Sequence, residues 1–518
     1  MKRTSPPRLR QIRVGTEQLP AASAVDGLRT EEAHAQEQSR YQDILLSKCP
    51  AHLWSKASYR AASPYPILVT KQHLQQVESL SQALTLALTD IVKRWCNDKE
   101  ARFSERMPLK REEEELLAWL EDQVSQGNLR DYSTSLGSWR PDFLIEECDG
   151  WCEGETVTSS RSEKFLITEI NARFSFNGAF YVSHGQDVLD DDSLTLEQLG
   201  LSSTTTSATM MNGVRTLFDP TVPLHLLIEE EAGIDIHMFV HAAQHRFGLT
   251  PQMIRPSDLR LEPLSGPNDA TDYGHHKLCC LAKADVTSQM APSPRTFVNS
   301  KGETVEEILQ VGLELRQHEL FSLPREIIRH ISLCCFNDLR TLLLVHDKRM
   351  LGIVKQELGP LVRRRVLTPA QARALHEGIV DTYLPNSPQL LNLLRKSIAS
   401  PSLKDGYLLK PIRGGKGAGI VFGDEMTPEE WLSKLNGLLS LPQTPFSGTA
   451  YVVQRRVQQC LYDLVMPASA ETVRYPLVGT FHIFQGSFCG LGIWRASADR
   501  ICAISSGGSM LCSVSKRF

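Results

Sequence analysis

Apolar positions along the chain follow two periods, and the switch between them predicts the elements. Leu74, Val77, Leu80, Leu84, Leu86, Ile91 and Val92 recur at helical spacing and predict one long helix. Residues 112–124 predict a second, with 112–115 as its solvated face. Short apolar runs at 143–146 and 165–170 predict buried strands separated by the polar stretch 148–164. Further on, 224–228 and 234–240 read as strands, 304–315 as a helix and 339–345 as an apolar strand, while 190–192, 202–207 and 265–273 read as loops. The last third predicts strands at 451–457, 478–484 and 490–494, preceded by a helix that opens at Thr427 with Pro428 and Glu430 as a capping box. The alternation predicts an α/β (α+β) fold in four segments. These are a polar, flexible extension over 1–60 with a short helix near 39–46, then 61–215, 216–380 and 381–518.

Residues 407–421 change this picture from architecture to chemistry. Tyr407-Leu-Leu-Lys410-Pro-Ile-Arg413-Gly414-Gly415-Lys416-Gly417-Ala-Gly419-Ile-Val421 reads as strand, glycine loop, strand. Glycines let backbone N–H groups close on phosphate oxygens, and Lys410, Arg413 and Lys416 add positive charge. A Walker A loop would continue into Ser or Thr and a helix, and a dinucleotide loop would also open a helix, but Gly417-Ala418 leads into Ile420-Val421-Phe422. What remains is a hairpin lid over nucleotide phosphates, or a solvated glycine turn.

Composition narrows the partners. With 56 Lys+Arg against 60 Asp+Glu, a formal charge of -4 lacks the basic bias of a nucleic-acid binder, and the short run Arg363-Arg364-Arg365 reads as a solvated helix face. Cysteines are scattered, with Cys279-Cys280 and Cys334-Cys335 suited to buried thiols rather than a disulfide framework. No apolar h-region follows the basic N-terminus and no run reaches the ~20 residues of a membrane span, so a cytoplasmic protein is expected.

Upstream lie two acidic clusters, Arg140-Pro-Asp142-Phe143 and Glu169-Ile-Asn171-Ala172-Arg173-Phe174. In strands, Glu169 would share a face with Asn171, and Arg140 with Asp142. Three oxygen donors from neighbouring strands suit a hard cation such as Mg²⁺, and Arg140 suits a phosphate or carboxylate. Taken alone, each cluster also fits a turn-capping arrangement. Gly274-His275-His276 with Cys279-Cys280 lacks metal-ligand spacing and reads as a loop entering a buried strand. His346-Asp347-Lys348-Arg349 fits a cleft wall or a polar turn equally well.

Together, Glu169-Ile-Asn171-Ala-Arg173-Phe, the Lys410 loop and Tyr451-Val-Val-Gln454 resemble the ATP-grasp ligases. The metal strand precedes the lysine and lid here, as in circularly permuted members. The order Arg140-x-Asp142-Phe, Glu169-x-Asn171-Ala, Lys410-Pro411 and Gly490-Leu-Gly492-Ile-Trp-Arg495 is similar to the synthetase domain of glutathionylspermidine synthase over about residues 139–510. That resemblance implies a permuted ATP-grasp core with an inserted Rossmann-like α/β subdomain over 216–380. It further implies ATP held by Lys410, Arg413, Gly414, Gly415, Lys416, Gly417 and Gln454, with Gln454 at the adenine edge. Mg²⁺ would sit on Asp142, Glu169 and Asn171, and Arg140 and Arg495 would stabilise the transferred phosphoryl group.

The implied reaction joins a small-molecule carboxylate to an amine through an acyl-phosphate, with ADP and phosphate released. Alternatives are kinase-like phosphoryl transfer in the same fold, or a non-catalytic ATP-binding regulator. Ala496-Ser497 after Arg495, and Ser505–Ser509 near the C-terminus, depart from the family pattern and leave the substrates open.

Overall fold

The computed structural model describes residues 8–14, 30–148, 162–191, 193–230, 233–263, 276–282, 295–440 and 450–517. The expectations for 265–273, Gly274, His275, Asp192 and most of 148–164 lie outside these. Mixed helices and sheets surround one central antiparallel sheet, in the spatial order Ser509–Leu511, Trp494–Ala496, Val478–Phe484, Ser138–Cys148, Ser162–Asn171, with Ser487–Leu491 also paired to Val478–Phe484. Phe143, Phe165, Phe481 and Trp494 stack on its inner face, with the Phe143 and Phe165 rings 4.7 Å apart. Gly479 is required there, because a Cβ would lie 2.2 Å from the Phe143 ring.

A second sheet carries the glycine hairpin, in the order Thr382–Tyr383, Tyr451–Arg455, Tyr407–Pro411, Val421–Phe422. It has its own core, in which Leu390, Leu394, Trp431, Leu435 and Val453 pack together. The helix Pro428–Leu439 begins at the expected capping box, where Thr427 Oγ1 accepts from the Glu430 N–H. The middle of the chain supplies a parallel sheet of Val311–Glu314, His225–Ile228 and Gln252–Ile254, and a four-stranded antiparallel sheet.

Several expectations are corrected. Residues 304–315 form two strands, Thr304–Glu307 and Val311–Glu314, rather than a helix. The latter strand is buried along its whole length, where alternation gives no signal. Conversely, 236–242 is a helix, since Ile236, Phe239 and Ala242 recur at three-residue spacing on a buried face. The apolar run before Val345 is a wide helical turn, Thr341–Val345, buried on all sides. Asp190 and Asp191 close the helix Ala179–Asp191 instead of marking a loop.

Within 1–60, the described residues 8–14 and 30–60 depart from a flexible extension. Arg10–Gln11 pairs with Ile67–Val69, and Glu31–Lys48 is a full helix packed on Ala179–Asp191. Its buried side includes His34 and Gln38, so the apolar pattern understates it. Gln38 Nε2 donates to the Ala62 carbonyl at 2.7 Å and His34 Nδ1 lies 3.1 Å from the Tyr65 hydroxyl, so hydrogen bonds offset part of the cost of burying these polar side chains, while Gln38 Oε1 is left without a partner.

Leu45, fully buried on this helix with Tyr41 and Phe180, tests the correction. Leu45→Ala is expected to cost about 2–5 kcal/mol in chemical denaturation. A cost near zero would return the segment to a loose tail.

Candidate active site

Strand register assembles the site. Asp142 lies opposite Glu169 and Arg140 opposite Asn171, while on the other edge Thr480 lies opposite Asp142. Carrying that register two residues on sets His482 beside Arg140. Alternate residues share a face, so one side of the sheet presents Thr480, Asp142 and Glu169 in one row and His482, Arg140 and Asn171 in the next. All six line a cavity of about 1490 Å³, which the glycine hairpin also lines.

Asp142 is buried between two guanidiniums. Arg140 Nε donates to Oδ1 at 2.9 Å and Arg495 Nη2 donates to Oδ2. Its carboxylate therefore aligns both arginines, and the freer oxygen donors are those of Glu169 and Asn171. Asn171 Nδ2 is buried without a partner. Burial opposes ionisation of Glu169, but Lys348, Lys410, Arg495 and Arg140 outweigh it and hold its carboxyl well below the usual range.

A β-bulge joins this face to the hairpin. The register shifts between Asp142 and Phe143, leaving Thr168 without an opposite residue. The Thr168 carbonyl accepts from Gln454 Nε2 at 3.1 Å, and Lys410 Nζ approaches it at 3.5 Å. Burial pulls the Lys410 amine down to about 8 despite Glu169. Gln454 also donates to Thr382 Oγ1 at 2.9 Å, so its amide ties the two sheets together, and the backbone of 455–459 borders the cavity beside it.

Gly414, Gly415, Lys416 and Gly417 border the cavity, and Gly417 takes φ +73° against Ile501, where a Cβ would meet the side chain at 2.2 Å. Arg413 also borders the cavity, with its guanidinium already engaged. It pairs with Glu113 and lies 3.3 Å from Asp347, and its Nη2 donates to the Leu343 carbonyl. Glu113 is thus fully buried, correcting the expectation that all of 112–115 is solvated.

Sequence reasoning left Lys348 open between cleft wall and turn. Its Nζ lies 3.5 Å from Glu169 and donates to the Gly414 carbonyl at 2.8 Å, bridging the Ser162–Asn171 strand and the loop. Only the unusual His-Asp-Lys-Arg order marked it. His346, which meets the Ala172 N–H through Nδ1, is held neutral by burial beside Lys348, Arg173 and Arg413 and titrates at about 3. A roof follows Arg495: Arg500 lies 4.1 Å over the Phe422 ring and pairs with Asp424 and Glu425.

The loop after Asn171 is clamped from below. Glu314 accepts from the Ser175 and Gly233 N–H groups, both at 2.9 Å, and Asp235 accepts from Phe180 N–H. Burial, with Asp235 nearby, pushes Glu314 up to about 8, and burial pushes Asp235 to about 6. Elsewhere among the described residues, Glu230, His318 and Glu319 bring ligand atoms within 4.8 Å of one another, but Glu319 is spent accepting from the Arg316 and Glu230 N–H groups.

The model of the AnkG N-terminal domain matches residues 80–344, and the chain is 35% identical over 443 residues to the ATP-grasp enzyme ankG of Aspergillus thermomutatus. That match covers 85% of this chain and 86% of the relative. The chain belongs to the AnkG family of ATP-grasp enzymes. A glutathione synthetase-like effector from Globodera pallida shares the fold, at 12% identity and TM-score 0.50, over 94% of this chain and 98% of that one. The ATP-grasp resemblance read from the four motifs therefore holds.

Glu314 gives a pH test with a definite sign. Its folded-state pKa lies above its unfolded value of about 4.5, so the folded protein binds the extra proton and stability falls as pH rises from about 4.5 to 8. Glu314→Gln should flatten that slope in denaturation curves at pH 5, 6.5 and 8, even though the amide NH₂ facing an N–H donor lowers absolute stability. An unchanged slope would assign it to other groups.

Proposed function

We propose that this protein is an ATP- and Mg²⁺-dependent carboxylate–amine ligase. The observation that carries the reading is the convergence of Lys410, Arg140 and Arg495 on Glu169 and Asp142 within the cavity beneath the glycine hairpin, with Lys348 reaching Glu169 from behind the cavity wall. Four cations around two carboxylates leave surplus positive charge. A triphosphate neutralises such a site, and at 1490 Å³ the cavity exceeds the 300–1,000 Å³ typical of a single ligand.

In this reading Lys410 contacts phosphate oxygens and the loop N–H groups of 414–417 cover them. The apolar wall of Leu144, Leu408, Ile420 and Val457, with the backbone of 455–459, takes the base. Glu169 and Asn171, with Asp142 across the ladder, are the donors that would hold Mg²⁺. The hard-oxygen set of two carboxylates and the Asn171 Oδ1 fits that ion, which when bound would neutralise phosphate charge, and the unpartnered Asn171 Nδ2 is a donor free to meet a phosphate oxygen. Arg140 and Arg495, fixed by Asp142, steer the substrate carboxylate to the γ-phosphorus, where a C–O–P bond forms and ADP leaves. An amine then attacks the acyl carbon, the C–N bond forms and phosphate departs. The buried guanidiniums stabilise charge on the oxygens in both steps.

The chain order, metal strands before lid, supports a permuted ATP-grasp arrangement. We read 61–215 and 381–518 as the two halves of the nucleotide core and the parallel sheet within 216–380 as an inserted Rossmann-like, substrate-side subdomain. The substrates are small molecules, and a cytoplasmic setting suits the abundant free thiols.

The test is ADP release against pools of carboxylic acids, amino acids and polyamines, with mass detection of products. Glu169→Ala is expected to abolish ADP release, by at least a hundredfold, with an unchanged melting curve. A condensed product supports the ligase, whereas a mass gain of one phosphoryl group in a substrate would mark a kinase. Undiminished turnover in Glu169→Ala would remove Glu169 from the metal site.

A further inference from the structure

The central sheet acts as a ruler across the cavity. The lid approaches the Ser162–Asn171 strand through Lys410 and Thr168. Next come the Ser138–Cys148 strand with Arg140 and Asp142, and then the Val478–Phe484 strand with Thr480 and His482. At about 4.8 Å per strand, His482 lies about 10 Å from the Glu169 strand, beyond Arg140 as seen from the nucleotide and one strand short of the one that carries Arg495. Its imidazole is 1% exposed and lines the cavity, and its Nε2 is buried with no partner. The groups facing it leave it uncharged: Arg140 stands beside it, Asp142 lies one row away, and burial favours the neutral ring. Gly490 opposes it on the next strand and Gly492 packs against it, where a Cβ would lie 3.2 Å from Nε2.

We propose that His482 contacts the attacking amine, accepting one of its N–H groups as a neutral imidazole and so aiming the nitrogen lone pair at the acyl carbon held by Arg140. This rests on the ligase reading above and assigns the acceptor subsite within it. An uncharged acceptor suits the chemistry, because the nucleophile must arrive as a free amine, and the flanking arginines disfavour an ammonium ion. Ile234 and Gly178 line the same cavity, with Gly178 leaving Arg140 accessible where a Cβ would meet Nη1 at 3.1 Å. In the step itself, the amine nitrogen bonds to carbon, the carbon–oxygen bond to phosphate breaks, and the phosphate leaves carrying the electron pair and the released proton.

Hydroxylamine separates the two half-reactions, since at high concentration this small nucleophile captures acyl-phosphate as a hydroxamate without needing an ordered amine site. Full-length wild type, His482→Phe and His482→Asn are incubated with Mg·ATP and the carboxylic-acid pools, with either hydroxylamine or the amine pools. His482→Phe is expected to keep hydroxamate formation within threefold while amide formation falls at least tenfold through a raised amine KM. Asn, which retains an acceptor, should recover most of the loss. A parallel fall in both products, or amide formation unchanged in His482→Phe, would overturn the assignment. No hydroxamate from any pool with wild type would instead sink the ligase reading, and the acceptor subsite with it.

Discussion

Thr168 is the point on which the two halves of the site depend. A single extra residue in the Ser162–Asn171 strand frees one backbone carbonyl from the ladder and turns it toward the hairpin sheet. There it meets Gln454 and Lys410. A carbonyl left unpaired in this buried place would cost a few kcal/mol, so the bulge is stable only with the hairpin sheet docked. The same bulge sets the register at which Glu169 faces Asp142. Docking of the hairpin sheet and alignment of Glu169 with Asp142 are therefore one structural event, although residues 168 and 410 are far apart in sequence.

Charge is arranged around that joint with partners assigned in advance. Asp142 engages two arginines, Asp347 engages Arg349 and faces Arg413, and Glu113 takes the remaining reach of Arg413. Each such carboxylate fixes the direction of a guanidinium that would otherwise lose several rotamers on meeting a ligand. Lys348 and Lys410 are different. They lean on Glu169 and on backbone carbonyls rather than on a carboxylate of their own, and of the two it is Lys410 that borders the cavity.

The strand motifs were legible because strand periodicity carries their geometry: Arg140 with Asp142, and Glu169 with Asn171, share a face whatever the tertiary context. The glycine hairpin was legible for a similar local reason, as was the capping box at Thr427. The N-terminal helix was not, since its buried face carries His34 and Gln38, polar side chains held by hydrogen bonds to Tyr65 and Ala62 rather than apolar ones. Glu113 was misread because a charged residue in an acidic run looks solvated until its partner, Arg413, is known to arrive from 300 residues away. Val311–Glu314 failed for the opposite reason, since a strand buried on both faces shows no alternation. Lys348 lay in no glycine loop, and only the fold brings it against Glu169.

The hairpin sheet has an apolar core of its own, and its described contacts with the rest of the molecule are polar and apolar together: Gln454 to Thr168, Lys348 to Gly414, Arg413 to Glu113 and Arg455 to Glu146, with Leu384 in the main core and Val380 and Val457 packed with Leu166. Apolar contacts resist separation in proportion to the area they would expose, and a buried polar group such as the Thr168 carbonyl costs more to leave unpaired than an exposed one. Trp431 and Leu435 thus hold the sheet together internally, while Leu384, Val380 and Val457 fix where it sits on the rest of the fold. That fixed seat is what lets Lys410 approach the Thr168 carbonyl.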